Sequence, residues 1–318
     1  MKDTLGIIIT EKLDVDIQLL TIKQSMAMLP IAGKYRMIDF ALSNMVNSGF
    51  TNIGVIAGGK YASLIRYLGT GDSWGLKSSN KSLAVFQSYP AKMIKKKVDA
   101  TVVALNGIID FIKTAEQEHI VVSSCDLLCN IDYRDVMDFH KQNNLDATLI
   151  HVNGNEANCD INMFIAKKHI LVDIVEKCNE NPKNKFATVV LNSDFKVSYY
   201  EHNGYARFIN NLHSYYNVNM ELLDLDIRKQ LLNSEWSVYT NTDNTYASKY
   251  GQGAGVVNSM IADGCIIDGH VENSIIFENT VIEKHSSLKN CIILHNSHIE
   301  ENCILSNVIK DNAVIINC

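Results

Sequence analysis

Residues 30–49 read PIAGKYRMIDFALSNMVNSG, and the fold is most readily inferred from this stretch. Within it, residues 35–48 carry apolar side chains at the spacing of an amphipathic helix, and Gly49 is typical of the position just past a helix end. A short apolar run lies on each side, LGIII at residues 5–9 and IGVIA at residues 53–57. The pattern predicts a strand, a helix and a second strand, with both strands buried.

The same alternation continues along the first part of the chain. Residues 120–124 are an apolar run that leads towards Asp126, residues 133–143 have helical spacing, and residues 147–152 again have the pattern of a strand. Strands that alternate with helices predict a largely parallel sheet with helices on both faces. We therefore expect an α/β domain over residues 1–243.

A different pattern occupies residues 244–318. Short aliphatic pairs separated by polar residues recur there at intervals near six residues, and no helical period fits them. Hexad repeats with inward-pointing aliphatic side chains predict a parallel β-helix, whose rungs are stable only when they are stacked. Four asparagines of the repeated motif suit the turns, because asparagine tolerates a left-handed backbone. They are Asn258, Asn273, Asn290 and Asn307.

The overall composition narrows the functional classes. The chain has 318 residues, of which 47% are hydrophobic, and a formal net charge of -6. This length is enough for two domains with sizeable cores, and the negative charge argues against nucleic acid as a partner. The apolar run at residues 5–9 is far shorter than the ~18 residues that a membrane span requires. We therefore expect a soluble, cytoplasmic protein that binds neither nucleic acid nor a membrane.

The cysteines and histidines form no recognisable metal-site pattern. The eight cysteines lack a C-x-x-C pair and are expected to be reduced, mostly buried thiols. Four histidines of the repeat region occupy polar positions and are expected to face solvent, which argues against a catalytic histidine of the β-helix acyltransferase kind. They are His270, His285, His295 and His298.

The stretch at residues 30–49 resembles the P-x-G-G-K-Y-R-x-I-D-F-x-L-S-N-x-x-N-S-G run of ADP-glucose pyrophosphorylase, also called glucose-1-phosphate adenylyltransferase. Residues 204–223 and 257–265 resemble further segments of that family. Within the family the chain is most similar to the non-catalytic, D-type glycogen-biosynthesis subunit, which accompanies a catalytic subunit. The resemblance implies a Rossmann-like nucleotidyltransferase domain followed by a left-handed parallel β-helix.

Residues that the family uses to hold the ATP triphosphate are replaced in this chain. The leading glycines of the family's G-G-x-G-x-R-L loop fall on Glu11 and Lys12, and its arginine falls on Asp16. Side chains there would block the close backbone approach that glycine permits, and carboxylates would repel phosphate. The lysine of the family's K-P-A-x-P motif falls on Met26, so a cation is replaced by a neutral thioether.

Only one of the family's two metal-binding carboxylates is retained. The aspartate of its G-D-H-x-Y segment is present as Asp126, whereas the aspartate of Y-W-x-D-V-G falls on Phe208. A lone carboxylate is a poor magnesium site. We therefore expect Asp126 to be a vestigial metal position. No cofactor is expected, and Mg²⁺ would be needed only if the family's activity were retained.

The segments that bind sugar phosphate in the family also differ. Its G-T-A-D-A motif falls on residues 98–102, VDATV, and the segment after His151 lacks the sequence E-K-P. Glu176, Lys177 and Cys178 imitate that sequence but lie in a stretch with helical spacing. We expect these three residues to belong to a helix and not to a binding loop.

Two groups of cations remain as candidates for an anion site or a subunit interface. Lys34 and Arg36 lie in the retained motif, and Lys95, Lys96 and Lys97 form a basic cluster. The alternative for both groups is an ordinary solvated or salt-bridged surface.

Losses at separate positions on a retained scaffold favour a regulatory subunit without catalytic residues of its own. Such a subunit would join a catalytic subunit of ADP-glucose pyrophosphorylase in a hetero- or homo-oligomer, with ATP or a sugar phosphate as a candidate effector. One alternative is an active sugar-phosphate nucleotidyltransferase with a site rebuilt around Asp126 and the basic cluster. Another is a β-helix assembly or acyltransferase-like module. Assay of the pure chain and co-purification with the catalytic subunit distinguish these functions.

Overall fold

The computed structural model describes residues 1–10, 17, 20, 24–58, 61–78, 80–87, 99–152, 163–181, 185–241, 246–312 and 314–317. The chain forms two compact units. The sheet unit contains Met1–Met28, Met37–Phe208 and Glu235–Tyr239, and the solenoid unit contains Leu29–Arg36, Ile209–Ser234 and Thr240–Cys318. No helix among the described residues has the length and hydropathy of a membrane span.

The sheet unit is built on one seven-stranded sheet with the order β10-β8-β9-β6-β1-β4-β5. All neighbouring strands are parallel except β9, which is antiparallel to both β6 and β8. Strands β7 and β11 form a separate antiparallel pair. The strands are β1 (Thr4–Ile9), β4 (Asn52–Ala57), β5 (Ser82–Gln87), β6 (His119–Ser124), β7 (Leu127–Cys129), β8 (Ala147–Val152), β9 (Phe164–Lys167), β10 (Val197–His202) and β11 (Ala206–Phe208). The largely parallel sheet predicted from the sequence is confirmed.

Helices cover both faces of this sheet, as the alternating pattern predicts. Ile8 and Val55 belong to one buried cluster with helices α1 and α5, whereas Ile7 and Ile56 belong to another with α3, α4, α6 and α7. The helices are α1 (Met37–Asn47), α2 (Ala62–Leu68), α3 (Ala100–Asn106), α4 (Ile109–Thr114), α5 (Tyr133–Gln142), α6 (Lys168–Glu180) and α7 (Phe186–Leu191). Successive residues of a central strand thus enter different cores, which explains why such strands are continuously apolar. Helix α6 contains Glu176, Lys177 and Cys178, as expected.

Helix α1, the motif helix of residues 30–49, begins later than its periodicity predicts. Residues Tyr35–Arg36 form strand β3, which pairs antiparallel with β2 (Pro30–Ile31) in the solenoid unit. The turn is made by Ala32 and Gly33, with φ values of 54° and 79°. The hydroxyl of Tyr215, far along the chain, donates to the carbonyl oxygen of Pro30 at 2.8 Å. The expected helix start at residue 35 is therefore wrong, because a distant contact stabilises a hairpin there.

The solenoid unit contains three parallel sheets that stack rung on rung. Their orders are β12-β15-β18-β21, β13-β16-β19-β22 and β14-β17-β20-β23, and β24 adds antiparallel to β23. The strands are β12 (Lys249–Tyr250), β13 (Gly255–Val257), β14 (Met260–Ile261), β15 (Ile266–Ile267), β16 (His270–Glu272), β17 (Ile275–Ile276), β18 (Val281–Ile282), β19 (Ser287–Lys289), β20 (Ile292–Ile293), β21 (His298–Ile299), β22 (Ile304–Ser306), β23 (Val308–Lys310) and β24 (Ile315–Asn317). Helices α8 (Leu212–Glu221) and α9 (Leu225–Leu231) complete the unit. The predicted parallel β-helix is confirmed.

Asparagines occupy the turns of the solenoid as the sequence indicates. Asn258, Asn273, Asn290 and Asn307 all have positive φ, between 43° and 54°. Their side chains also pair from rung to rung, because Asn258 donates to Asn273 at 2.7 Å and Asn290 donates to Asn307 at 3.0 Å. The left-handed backbone and the amide pairing together account for the choice of residue.

The described cysteines are free thiols, as expected. Cys125, Cys129, Cys178, Cys265 and Cys291 are buried and Cys303 is half-buried, while Cys159 and Cys318 lie outside the described residues. Two of the buried thiols occupy solenoid corners, where the backbone N–H groups of Cys265 and Cys291 donate to the hydroxyls of Ser248 and Ser274 at 2.9 Å. Small side chains are thus used at these inward corners.

The expectation for the four solenoid histidines holds for three of them. His270, His285 and His298 are exposed, although His270 and His298 lie in strands and not in turns. His295 is half-buried, and its pKa is lowered first by burial and then by the positive charge of Arg36. His295 is therefore not the solvent-facing residue that the sequence suggests.

The substitution His285→Gly tests whether the turns require a residue that tolerates positive φ. His285 has φ of 62° and is the one non-asparagine side chain among the described left-handed turn positions of residues 246–312. Glycine removes the strain of that conformation, so we expect stability to be unchanged or raised by up to about 1 kcal/mol. The control Ser287→Gly lies in β19 and should lower stability by about 0.5–1 kcal/mol. Urea unfolding followed by circular dichroism measures both, and equal losses in the two variants would contradict the interpretation.

Candidate functional site

The candidate site lies at the carboxyl ends of the central strands of the sheet unit. The N–H of Thr10 donates to the carbonyl oxygen of Ile56 and the N–H of Cys125 donates to that of Ile9, both at 3.1 Å. These bonds hold the ends of β1, β4 and β6 together, at the edge where α/β sheets place ligands. The hydroxyl of Thr10 is buried and has no hydrogen-bond partner among the described residues. Residues 11–16, which include Glu11, Lys12 and Asp16, lie outside the described part of the chain.

Asp126 lies directly after β6 and is 4% exposed. Its carboxylate accepts a hydrogen bond from the hydroxyl of Ser124. The neighbouring thiol of Cys125 is fully buried, and its pKa is raised first by that burial and then by the negative charges of Asp126 and Asp39. The thiol is therefore held protonated and is not an activated nucleophile.

Phe208 lies in the short antiparallel pair that begins directly after Asp126. In the register of β7 and β11, Phe208 lies opposite Leu127, the residue that follows Asp126. The half-buried ring packs against the apolar cluster that contains Cys125 and Leu127. The position assigned to a second metal carboxylate thus lies opposite the residue that follows the first, and it is occupied by an aromatic side chain.

These residues do not fit the divalent metal that the family resemblance implies. Mg²⁺ requires oxygen ligands, usually carboxylates shared with substrate phosphates. Phe208 offers none, and no group of three or more histidine, cysteine or acidic side chains in the described chain is arranged to hold a metal ion. No step through a metal is therefore derived from this site.

Met26 lies in a 3-10 turn, Met26–Met28, and is 5% exposed. Its neighbours Ala27 and Met28 belong to the same apolar cluster as Ile38 and Leu42 of helix α1. A lysine ammonium in this environment would need compensation by an anion or by water. The neutral thioether has instead become part of the protein interior.

A second buried carboxylate, Asp39, was not identified from the sequence as a site residue. It lies in the first turn of α1 and is fully buried. The hydroxyl of Tyr67 on α2 approaches its two oxygens at 2.8 and 2.9 Å. The ring of Tyr67 also packs edge-on against Trp74 at 5.8 Å. Asp39 is part of the quoted motif, but no local pattern reveals a partner that lies 28 residues away.

Lys34 and Arg36 belong to the solenoid unit. Lys34 is exposed at the β2–β3 turn, and Arg36 is half-exposed on β3. The positive charge of Arg36 acts on Tyr215 and His295, since it contributes to the pKa of each. The hairpin is held by helix α8, because Asn219 accepts from the N–H of Ala32 at 3.2 Å. An anion or interface role for these two cations stays a prediction, as does that of Lys95, Lys96 and Lys97, which lie outside the described residues.

Comparison with known proteins agrees with this architecture. Residues 18–189 match the family described as nucleotidyl transferase, and residues 244–318 match the GlmU-like, C-terminal hexapeptide family. The chain is 30% identical over 289 residues to "Glycogen biosynthesis protein GlgD" of Bacillus subtilis (strain 168). The aligned region covers 90% of this chain and 82% of that relative. The chain belongs to the nucleotidyl transferase family that includes glucose-1-phosphate adenylyltransferase and GlgD.

Further members of the family show similar identity. "Glycogen biosynthesis protein GlgD" of Geobacillus stearothermophilus is 31% identical over 264 residues, covering 82% of this chain and 76% of that relative. "Glucose-1-phosphate adenylyltransferase" of Clostridium perfringens (strain 13 / Type A) is 29% identical over 307 residues, covering 86% and 78%. Proteins with both names are therefore about equally similar to the chain, so overall identity does not distinguish between them.

The substitution Tyr67→Phe tests whether the buried Asp39 depends on its tyrosine partner. Removing the hydroxyl takes a donor from a buried carboxylate, so we expect the free energy of unfolding to fall by about 1–3 kcal/mol. The control Tyr199→Phe alters a side chain that is 48% exposed and should change stability by less than about 0.5 kcal/mol. Urea unfolding compares the two, and a loss in Tyr67→Phe no larger than in the control would show that Asp39 does not need this bond.

Proposed function

We propose that the chain is a non-catalytic, regulatory subunit of glucose-1-phosphate adenylyltransferase and modulates ADP-glucose synthesis for glycogen biosynthesis. The observation that carries the proposal is Phe208, which lies on β11 opposite Leu127, the residue that follows Asp126. A half-buried aromatic ring that packs against the apolar core takes the place where the family resemblance requires a second metal carboxylate. The names of the GlgD relatives, glycogen biosynthesis proteins, also favour this pathway.

The chemistry of adenylyl transfer makes these replacements significant. Transfer from ATP to a sugar phosphate needs groups that hold the triphosphate and stabilise the charge that develops in the transition state. Met26 is a buried thioether and Phe208 is a half-buried ring, so neither position supplies charge. A missing group of this kind typically removes roughly 2–4 kcal/mol of transition-state stabilisation. Two such losses already suppress turnover by orders of magnitude.

The retained parts support a role in assembly. The motif hairpin is held against helix α8 within the solenoid unit, and the solenoid continues as a stacked β-helix. A retained scaffold of this kind is expected if the chain still assembles with a partner. The partner proposed is the catalytic subunit, in an oligomer that also contains this chain.

The isolated chain should not release pyrophosphate from ATP and glucose 1-phosphate in the presence of Mg²⁺. Mixing it with the catalytic subunit should give a complex of larger mass by light scattering and should change the kcat, the KM or the effector response of that subunit. The catalytic subunit alone, and with an unrelated protein, are the controls. Turnover by the pure chain that is abolished by Asp126→Asn would favour the rebuilt-site alternative, and co-purification without any kinetic change would favour a pure assembly module.

A series of reversions tests how many lost groups limit turnover. The double substitution Glu11→Gly with Lys12→Gly should stay inactive, because it restores only the backbone approach to phosphate. Adding Asp16→Arg, Met26→Lys and Phe208→Asp should recover some rate, since charge is then returned to the other positions. Pyrophosphate release is measured for each, with folding checked by circular dichroism. High activity in the double glycine variant would show that the other three positions were never limiting.

A further inference from the structure

A five-residue segment, Glu235–Tyr239, has an unusual place in the chain and is called the strap below. The strap belongs to the sheet unit, whereas the segments before and after it, Ile209–Ser234 and Thr240–Cys318, belong to the solenoid unit. It contains neither a helix nor a strand. Its position is therefore set by contacts with other elements and not by its own backbone structure.

Side chains on one side of α1 bind the strap. The indole Nε1 of Trp236 donates to Oδ1 of Asn44 at 3.0 Å, and Nδ2 of Asn47 donates to the carbonyl oxygen of Ser237 at 2.9 Å. The hydroxyl of Ser43 accepts from the N–H of Tyr239 at 2.8 Å. Positions 43, 44 and 47 share a helix face, so the motif helix presents a polar surface on which the strap lies.

Asn44 extends these contacts to strand β7. The same side chain donates from Nδ2 to the carbonyl oxygen of Cys129 at 2.9 Å and accepts at Oδ1 from the N–H of Ile131 at 3.3 Å. Asn44 is 3% exposed, so these bonds are buried. Strand β7 begins at Leu127, directly after Asp126. The amide group of Asn44 therefore binds the strap and the strand next to the candidate site at once.

Neighbouring residues strengthen this connection. The hydroxyl of Ser48 donates to the carbonyl oxygen of Asn44 at 2.7 Å and accepts from the N–H of Tyr133 at 2.9 Å. The guanidinium of Arg134 lies 5.7 Å from the centre of the Trp236 ring. Residues 129–134 thus contact both α1 and the strap. A change in the strap would reach this segment through α1 and through Arg134.

We propose that the strap is a conformational relay, which passes a change in the solenoid unit to residues 127–133 beside Asp126 through the side chain of Asn44. The Oδ1 atom of Asn44 binds Trp236 and Ile131 together. When the indole N–H of Trp236 moves away, the buried Oδ1 of Asn44 loses one of its hydrogen-bond donors. The side-chain amide of Asn44 can then rotate away from Cys129 and Ile131. Groups in one hydrogen-bonded network respond together to the loss of a member. The relay is independent of whether the site is catalytic, because it concerns the position of a strand.

Hydrogen exchange of the full chain, followed by mass spectrometry, tests the relay with two variants. Trp236→Phe keeps an aromatic ring near Arg134 but removes the donor to Asn44. Asn47→Ala removes the hydrogen bond from Asn47 to Ser237 of the strap. The hydrogen bonds to residues 129–133 come from Asn44 of α1 and from Ser48, so this variant leaves them in place. Both should speed exchange in the strap and in residues 127–133 by roughly fivefold or more, the effect of losing one ordinary hydrogen bond from a local opening equilibrium. Exchange in β8 should not change.

The control is Asn179→Ala, which removes an exposed bond from Nδ2 of Asn179 to Asn106 elsewhere on the sheet unit. It should leave both segments at the wild-type rate. Faster exchange in the strap with wild-type exchange in residues 127–133 would overturn the relay, as would no change in the strap itself. If either variant unfolds, exchange of the wild-type chain in low urea decides the question. Opening of both segments with one urea dependence supports the relay, and opening in separate steps overturns it.

Discussion

The buried amide of Asn44 is the contact on which much of the sheet unit depends. It joins Cys129, Ile131 and Trp236, which are distant in sequence from the helix that carries it. A buried amide is stabilising when its partners are present and costly when one is missing, so these segments have to be placed together. This constraint explains why helix α1 has a polar side inside the protein. An apolar side could pack there too, but it would not fix the relative positions of its neighbours as hydrogen bonds do. Helix α1 is held by directional bonds as well as by its apolar face.

Regular elements were predicted correctly from the sequence where burial of one or both faces, or a special backbone conformation, restricts which residue types can occur. Strand β1 is fully buried and reads as one apolar run, and the turn asparagines reveal a backbone conformation that few other residues adopt. Helix α1 was placed two residues too early, because the pairing of Tyr35–Arg36 with Pro30–Ile31 depends on Tyr215. A contact of that kind leaves no periodic trace near residue 35.

The candidate site was predicted only in part, for a similar reason. The assignment of Phe208 to the second metal position came from resemblance to the family, and the register of β7 and β11 pairs Phe208 with the residue that follows Asp126. The bond between Tyr67 and Asp39 had no local signal, since neither spacing nor composition links the two residues. The replaced positions also have a common physical character. Met26 is buried and the half-buried ring of Phe208 packs against the apolar core, so the fold needs no ion or phosphate to offset buried charge at either position.

The stacking of the solenoid has a consequence for how the chain can change in length. Gly255, His270, Ser287 and Ile304 are in register, although unequal numbers of residues separate successive members. The difference is accommodated at the corners, while the faces keep their hydrogen-bonded ladder. A rung can therefore be two residues longer or shorter at a corner and stay in register, whereas a change of length within a face would move every later rung out of alignment. Larger changes can occur only as complete rungs, so the height of the column varies in steps.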